Sequence, residues 1–187
     1  VLAGVQYAHQ NLVMHLDLKP SNILVTRDGV PKIVDFGIAR MANPELGDAA
    51  NMLTGEGGMT QQYASPEQLR GEALITTASD VYSLGVVFYE ILTGRRPYSL
   101  KDLSFQEIRT VVCEKDPAKP GEVLNDDTEA LDAGALGKLS ASEICRKRDS
   151  RPDELRRLLA CDLGIIPMVA MRKAPKRRYP TVKQFSE

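Results

Sequence analysis

The sequence has no excess of charge of either sign. Its 24 Lys and Arg against 25 Asp and Glu leave a net charge of −1, so bulk charge points to neither a nucleic-acid nor a membrane partner. Cysteine is scarce: Cys113, Cys145 and Cys161 are odd in number and show no C-x-x-C spacing, which indicates neither a disulfide framework nor a zinc site and fits a reducing cytoplasm. No hydrophobic run is long enough to span a bilayer. The longest, Val81 to Leu92, contains Ser83 and Glu90 and is expected to be a buried helix. No signal peptide opens the chain at Val1 and an initiating methionine is missing, which suggests that the chain begins inside a larger protein. Aromatic residues are not interleaved with the one basic cluster, Arg172, Lys173, Lys176, Arg177 and Arg178, beyond Tyr179. That cluster therefore reads as a solvated helix end and not as a nucleic-acid patch.

What is present is an ordinary globular balance, 43% hydrophobic and 26% charged over 187 residues, enough for one domain with a real core. The chain is organised around residues 15 to 37. His15-Leu16-Asp17-Leu18-Lys19-Pro20-Ser21-Asn22 leads into Ile23-Leu24-Val25, a Thr26-Arg27-Asp28-Gly29 turn, and Pro31-Lys32-Ile33-Val34-Asp35-Phe36-Gly37. The two β-branched runs with Asp-Gly between them predict an antiparallel hairpin that returns Asp35 to the neighbourhood of Asn22. An amide oxygen beside a carboxylate is the hard-oxygen pair that Mg²⁺ accepts together with phosphate oxygens. Asp17, on an irregular loop, is placed to meet a hydroxyl proton, and Lys19 brings a point charge to a transferring phosphoryl group.

These residues resemble the catalytic loop and metal-binding loop of a eukaryotic-type protein kinase, H-x-D-L-K-P-x-N followed by D-F-G. Lys19, two residues after Asp17, gives the serine/threonine form. Further along, Thr60-Gln61-Gln62-Tyr63-Ala64-Ser65-Pro66-Glu67 resembles the close of a kinase activation segment, Asp80-Val81-Tyr82-Ser83-Leu84-Gly85 the start of its central helix, and Pro175-Lys176-Arg177-Arg178-Tyr179 its terminal P-x-x-R-Y. The phrase Tyr63 to Glu72 is closest to bacterial serine/threonine kinases.

The local reading of the rest is consistent with this. An amphipathic helix is expected over Val1 to His9, with His9 as surface or helix-terminus packing and not a ligand. Residues 38–67 read as the activation segment, losing periodicity up to Thr60. Ser65, Pro66 and Gln68 predict an N-cap, a first-turn proline and a capping box, closed by Gly71. Thr77 to Asp80 predicts another box opening the buried helix that stops at Gly94, followed by Arg95 and Arg96 as solvated turn charges. Ser104 with Glu107 caps the next helix. Residues from about 115 to 140 read as a surface insertion. Ser140 with Glu143, and Ser150 with Pro152, open two more helices. Over Asp162 to Met171, the interior Gly164 and Pro167 restrict regular helix to the part from Pro167 onward.

The resemblance implies a mainly α fold, the C-lobe of the α+β protein-kinase-like fold spanning residues 1–187, with small β-hairpins carrying the catalytic and metal loops. It implies ATP and Mg²⁺ as cofactors and protein substrates bearing Ser or Thr, with no nucleic-acid partner. Asp17 would accept or orient the hydroxyl proton, Lys19 would steady the γ-phosphoryl, and Asn22 and Asp35 would hold metal. Leu24 would pack beneath the adenine, His15 and Phe36 would belong to a packed column, and Thr60 would bond toward Asp17 and Lys19. Asp80 would brace the catalytic-loop backbone, and Arg178 would pair with Glu67. The kinase N-lobe is expected to be missing: there is no Gly-rich strand-loop, no V-A-I-K lysine and no partner glutamate, and Gly55-Glu56-Gly57-Gly58 follows no strand. The 187 residues alone would therefore transfer no phosphate. The alternative is a pseudokinase or truncated lobe acting as a binding module, since Leu16, Gln61, Gln62, Gly164 and Pro167 depart from the family pattern.

Overall fold

The structure is a computed structural model, and it describes residues 1–36, 60–123 and 141–187, without the side chains of Thr60 and Ala141. The expected activation segment lies largely outside the described residues, as does 124–140 of the expected insertion. The described elements in chain order are α1 (Leu2–Gln10), a 3₁₀ turn (Pro20–Asn22), β1 (Ile23–Val25), β2 (Pro31–Ile33) and a second 3₁₀ turn (Thr60–Tyr63). Then come α2 (Pro66–Arg70), α3 (Thr77–Thr93), α4 (Phe105–Glu114), α5 (Pro120–Val123) and α6 (Ala141–Lys147). The chain continues through α7 (Pro152–Ala160), α8 (Asp162–Ala170), a 3₁₀ turn (Pro175–Arg177) and α9 (Val182–Ser186).

Helix α3 is the axis of the fold. All its residues except Thr77, Ala78, Phe88 and Ile91 are buried, so the other elements pack round it instead of beside it. Tyr82, Val86 and Tyr89 face one cluster with Leu69, Ile108 and Val112. Val81 and Leu84 face a second with Val5, Leu18, Val182 and Phe185, and Leu92 joins Ile144, Leu155 and Leu159 in a third. Helix α8 crosses so closely that a Cβ on Gly85 would come within 2.7 Å of the Ala170 Cβ. Several buried polar groups on α3 find partners: Ser79 Oγ donates to Glu67 (2.6 Å), Ser83 Oγ to the Tyr63 carbonyl (2.8 Å), and the Tyr63 hydroxyl to Glu90 (2.6 Å), whereas the buried hydroxyls of Tyr82 and Tyr89 have none among the described residues. Burial and the Glu90 carboxylate push the Tyr63 phenol well above its usual pKa.

Helix ends follow the local chemistry in most places. Ser65 and Gln68 form the full capping box of α2, with Gly71 left-handed at φ 66°. Ser104 and Glu107 do the same for α4, and Gly94 closes α3 at φ 68°. Five expectations need correction. The N-cap of α3 is Thr76, not Thr77, and its hydroxyl accepts from Ala78 N; Asp80 is drawn away to other partners. Ser150 does not cap α7, whose N-cap Arg151 lends no side chain. Helix α8 runs unbroken through Pro167 from Asp162, because Gly164, Pro167 and Ala170 are buried against its neighbours and packing outweighs one lost hydrogen bond. Arg95 is 5% exposed and donates to the Val123 carbonyl at 2.9 Å, so it is no solvated turn charge. Nor is the basic cluster simply solvated. Arg178 is 4% exposed, and Lys173 donates to the Tyr98 hydroxyl (2.6 Å) and Val112 carbonyl (2.7 Å), with burial lowering its ammonium pKa to about 8.

Candidate active site

The hairpin forms in the register the sequence suggests, with Ile23 opposite Ile33, Leu24 opposite Lys32 and Val25 opposite Pro31. The turn is closed by Thr26 N to Val30 O and by Val30 N to Thr26 Oγ1. Gly29 supplies the left-handed residue at φ 76°. One step beyond the strands, Val34 N donates to Asn22 O at 3.0 Å. That bond ties the residue before Asp35 to Asn22, which is how the hairpin brings two distant residues into one neighbourhood.

The loop before β1 is held from beneath. Asp80, fully buried on the first turn of α3, accepts from His15 N (2.8 Å) and Leu16 N (2.7 Å) on separate oxygens, and from His9 Nε2 at 2.8 Å. Leu16 sits at φ 63°, a left-handed conformation that costs a side chain of this kind about 1 kcal/mol. Two charge-assisted bonds on adjacent amides outweigh that strain. The Leu16 carbonyl in turn accepts from Gln68 Nε2 at 2.9 Å, so α2 grips the loop from the side. His15 is 0% exposed; its Nε2 lies 3.0 Å from the Val34 carbonyl and its Nδ1 3.3 Å from Asp17 N. A carbonyl only accepts and an amide only donates, so the neutral Nε2–H tautomer is the one that satisfies both. The His15 ring stacks at 4.7 Å on Phe36, tilted by 42°.

On this frame Asp17 is fixed by its neighbours. Lys19 Nζ is 2.8 Å from Asp17 Oδ2, and Asn22 Nδ2 donates to the Asp17 carbonyl (2.9 Å) and to Oδ2 (3.3 Å). The Asp17 and Lys19 side chains keep 32% and 20% of their exposure, enough for a reactant to reach them. Because the amide nitrogen of Asn22 is engaged, its oxygen is the end left for a cation. Asp35 is exposed at φ 55°, and the described residues hold no group of three or more His, Cys, Asp or Glu arranged to bind a metal ion. Two protein oxygens without a full cage suit a hard cation that keeps water and phosphate as its other ligands. Leu24, on β1, is 55% exposed.

Of the residues singled out in the sequence, Asp17, Lys19 and Asn22 are in mutual contact, with Asp35 joined to them through the Val34 bond. The Thr60 side chain lies outside the described residues. Sequence reading missed His9 and Gln68 as supports of the loop, since no spacing rule connects them to residues far along the chain. Below the site, Arg178 makes a two-pronged pair with Glu67 (2.6 and 2.7 Å) and donates to the carbonyls of Arg172, Lys173 and Ala78. Burial alone would raise the Glu67 carboxyl, but Arg178 and the Ser79 hydroxyl outweigh it and hold the carboxyl below its usual value.

The sequence pattern of the protein kinase domain family matches residues 1–152. Among curated proteins, the serine/threonine-protein kinase PknB of Mycolicibacterium smegmatis is 40% identical over 142 residues, covering 73% of this chain and 21% of that protein. PknB of Mycobacterium tuberculosis is 36% identical over 161 residues, 82% of this chain and 24% of that protein. The serine/threonine-protein kinase drp72 of Corynebacterium efficiens is 48% identical over 96 residues, 51% of this chain and 18% of that protein. The chain thus spans about a fifth to a quarter of the length of these relatives. No helix among the described residues is long and apolar enough to cross a membrane. That match and these relatives, together with the helical body, the small hairpin and the buried aspartate bracing a loop of Asp, Lys and Asn among the described residues, place the chain in a family: it belongs to the protein kinase domain family.

Proposed function

We propose that this chain is the catalytic lobe of an ATP-dependent protein serine/threonine kinase, which moves the γ-phosphoryl of ATP to a Ser or Thr hydroxyl of a protein. The observation that carries this reading is the arrangement around Asp17, a carboxylate half-open to solvent and fixed by Lys19 and Asn22 on a loop hung from Asp80. Asp17 accepts or orients the acceptor hydroxyl's proton. Lys19 sets a positive charge where negative charge develops on the transferring group. Asn22 and Asp35 are the residues that would hold Mg²⁺, which supplies charge neutralisation on the phosphates when bound. Leu24 offers the adenine an apolar shelf, and the family resemblance assigns Thr60, whose side chain lies outside the described residues, to a bond toward Asp17 and Lys19 in the assembled kinase. The names of the relatives support Ser or Thr as acceptor, and three cysteines free of disulfides support work in the cytoplasm. The groups that cover the phosphates from above are absent from these 187 residues and belong to an N-terminal lobe of the kinase.

The test is transfer of labelled phosphate from ATP to a generic basic protein, using the chain completed with a Gly-rich lobe. Label should appear on Ser or Thr and vanish with Asp17→Ala, while the 187 residues alone transfer none. Incorporation that survives Asp17→Ala, or label on Tyr alone, would refute the reading.

A further inference from the structure

A trough of about 690 Å³ lies between α5, α7 and α8, and none of its lining residues belongs to the catalytic loop or hairpin. Its floor is apolar, built from Pro120, Leu159, Ala160, Ile165, Met168 and Val169. Its rim is cationic: Lys119, Arg156, Arg157 and Arg172 line it, against Glu122 as the one acid among the lining residues. Two glycines make its walls. A Cβ on Gly121 would come within 3.2 Å of the Ala160 backbone, and one on Gly164 would lie 1.8 Å from the Leu159 carbonyl oxygen, so α5 and α8 approach α7 as closely as backbone allows. Ile165 is left 55% exposed.

The cations bracket the floor. Arg157 lies in the last turn of α7, with Arg156 just before it; α7 passes through Cys161 into α8, and Arg172 lies two residues beyond the other end of α8. A nine-residue helix is about 13 Å long, which sets the spacing between the two charged ends. The existing ion pairs are of the exposed, weak kind that a competing carboxylate can displace: Lys119 to Glu122 at 3.4 Å and Arg156 to Asp153 at 3.1 Å. Arg172 Nη1 donates to the Arg177 carbonyl at 3.0 Å.

We propose that this trough docks an acidic amphipathic segment of a partner protein, with apolar side chains on the floor and carboxylates at both ends against Arg157 and Arg172. Charge complementarity selects this occupant. A small anion would leave the floor unused, and a nucleic acid would find no aromatic side chain in the lining on which to stack. The docking is independent of phosphoryl transfer, so it stands or falls separately from the catalytic reading. Residues 124–140, which follow α5 and contain Asp126, Asp127, Glu129 and Asp132, share the required chemistry and are the rival occupant.

The experiment measures fluorescence polarisation of a labelled synthetic peptide with glutamates at both ends and leucines between, titrated with the 187-residue chain. Saturable binding is expected, weakened by raised salt and at least about tenfold by Arg157→Glu with Arg172→Glu. Ile165→Glu should weaken it as well, and the same peptide with lysines for glutamates should not bind. Circular dichroism checks the fold of each variant; where a charge reversal disturbs it, Arg157→Gln with Arg172→Gln makes the same comparison. Absence of saturable binding, or binding indifferent to these substitutions, overturns the proposal. So does binding that appears only after residues 124–140 are replaced by a Gly-Ser linker, because the trough would then belong to the chain's own acidic segment.

Discussion

The two faces of the catalytic loop are built in opposite ways. Beneath it, His15 and Asp80 are 0% exposed, and each polar atom that positions the loop has a named partner. Above it, Leu24, Val25 and Val30 are 55%, 66% and 47% exposed, and Asp35 is open to solvent. The loop's shape is therefore set from below, by a protein network that needs no ligand, and its chemistry is offered upward. Low local dielectric strengthens the lower network and makes any vacancy in it expensive.

The largest effect should come from the deepest part of that network. Arg178→Ala leaves the Glu67 carboxylate buried and alone, which costs about 3–5 kcal/mol, a large share of a typical domain's stability. Denaturant unfolding measures it. Because the Glu67 pKa is depressed in the fold, its contribution is present above the unfolded value of 4.5 and is lost as pH falls through the folded value. The stability gap between parent and Arg178→Ala should narrow as pH falls, beginning above 4.5, because the lone buried carboxyl of the variant takes up its proton more readily than it does in the unfolded chain. A gap that widens on acidification would deny the pair its role.

Asp80→Asn should come next. Both oxygens of Asp80 accept N–H donors, so an amide turns one of them into a donor facing a donor, at about 2–3 kcal/mol. Hydrogen exchange at Leu16 N should quicken more than exchange within α3. Uniform quickening would mean that Asp80 stabilises the fold as a whole and not the loop. On the upper face, Leu24→Ser should change folding stability by no more than about 0.5 kcal/mol while weakening nucleotide binding to the completed kinase. A loss of stability like that of Asp80→Asn would erase the contrast between the faces.

Local chemistry made much of this legible. The Asp-Gly turn, two full capping boxes and the closing glycines appear where short-range rules put them, because their partners lie within four residues. Asp80 shows where such rules end. Its spacing from Thr77 looks like a capping box, yet its carboxylate is taken by amides more than sixty residues earlier, so the cap moves to Thr76. His9, Arg95 and Lys173 have the composition of surface charges, and only the tertiary packing around them reveals partners. Pro167 tells the same story, as a helix breaker that burial overrides. For the candidate site, the residue types and their order were visible in the sequence; the support from His9 and Gln68 was not, since neither carries a local signal for a contact across the fold.

The central claim is that Asp17 and Asp35 serve different partners, one the acceptor hydroxyl and the other the metal. Measuring Mg·ATP affinity and turnover side by side for Asp17→Ala and Asp35→Ala in the completed kinase tests it most directly. The account predicts that turnover is lost in both, while nucleotide affinity is kept in Asp17→Ala and weakened in Asp35→Ala. Equal loss of nucleotide affinity in the two variants would contradict it.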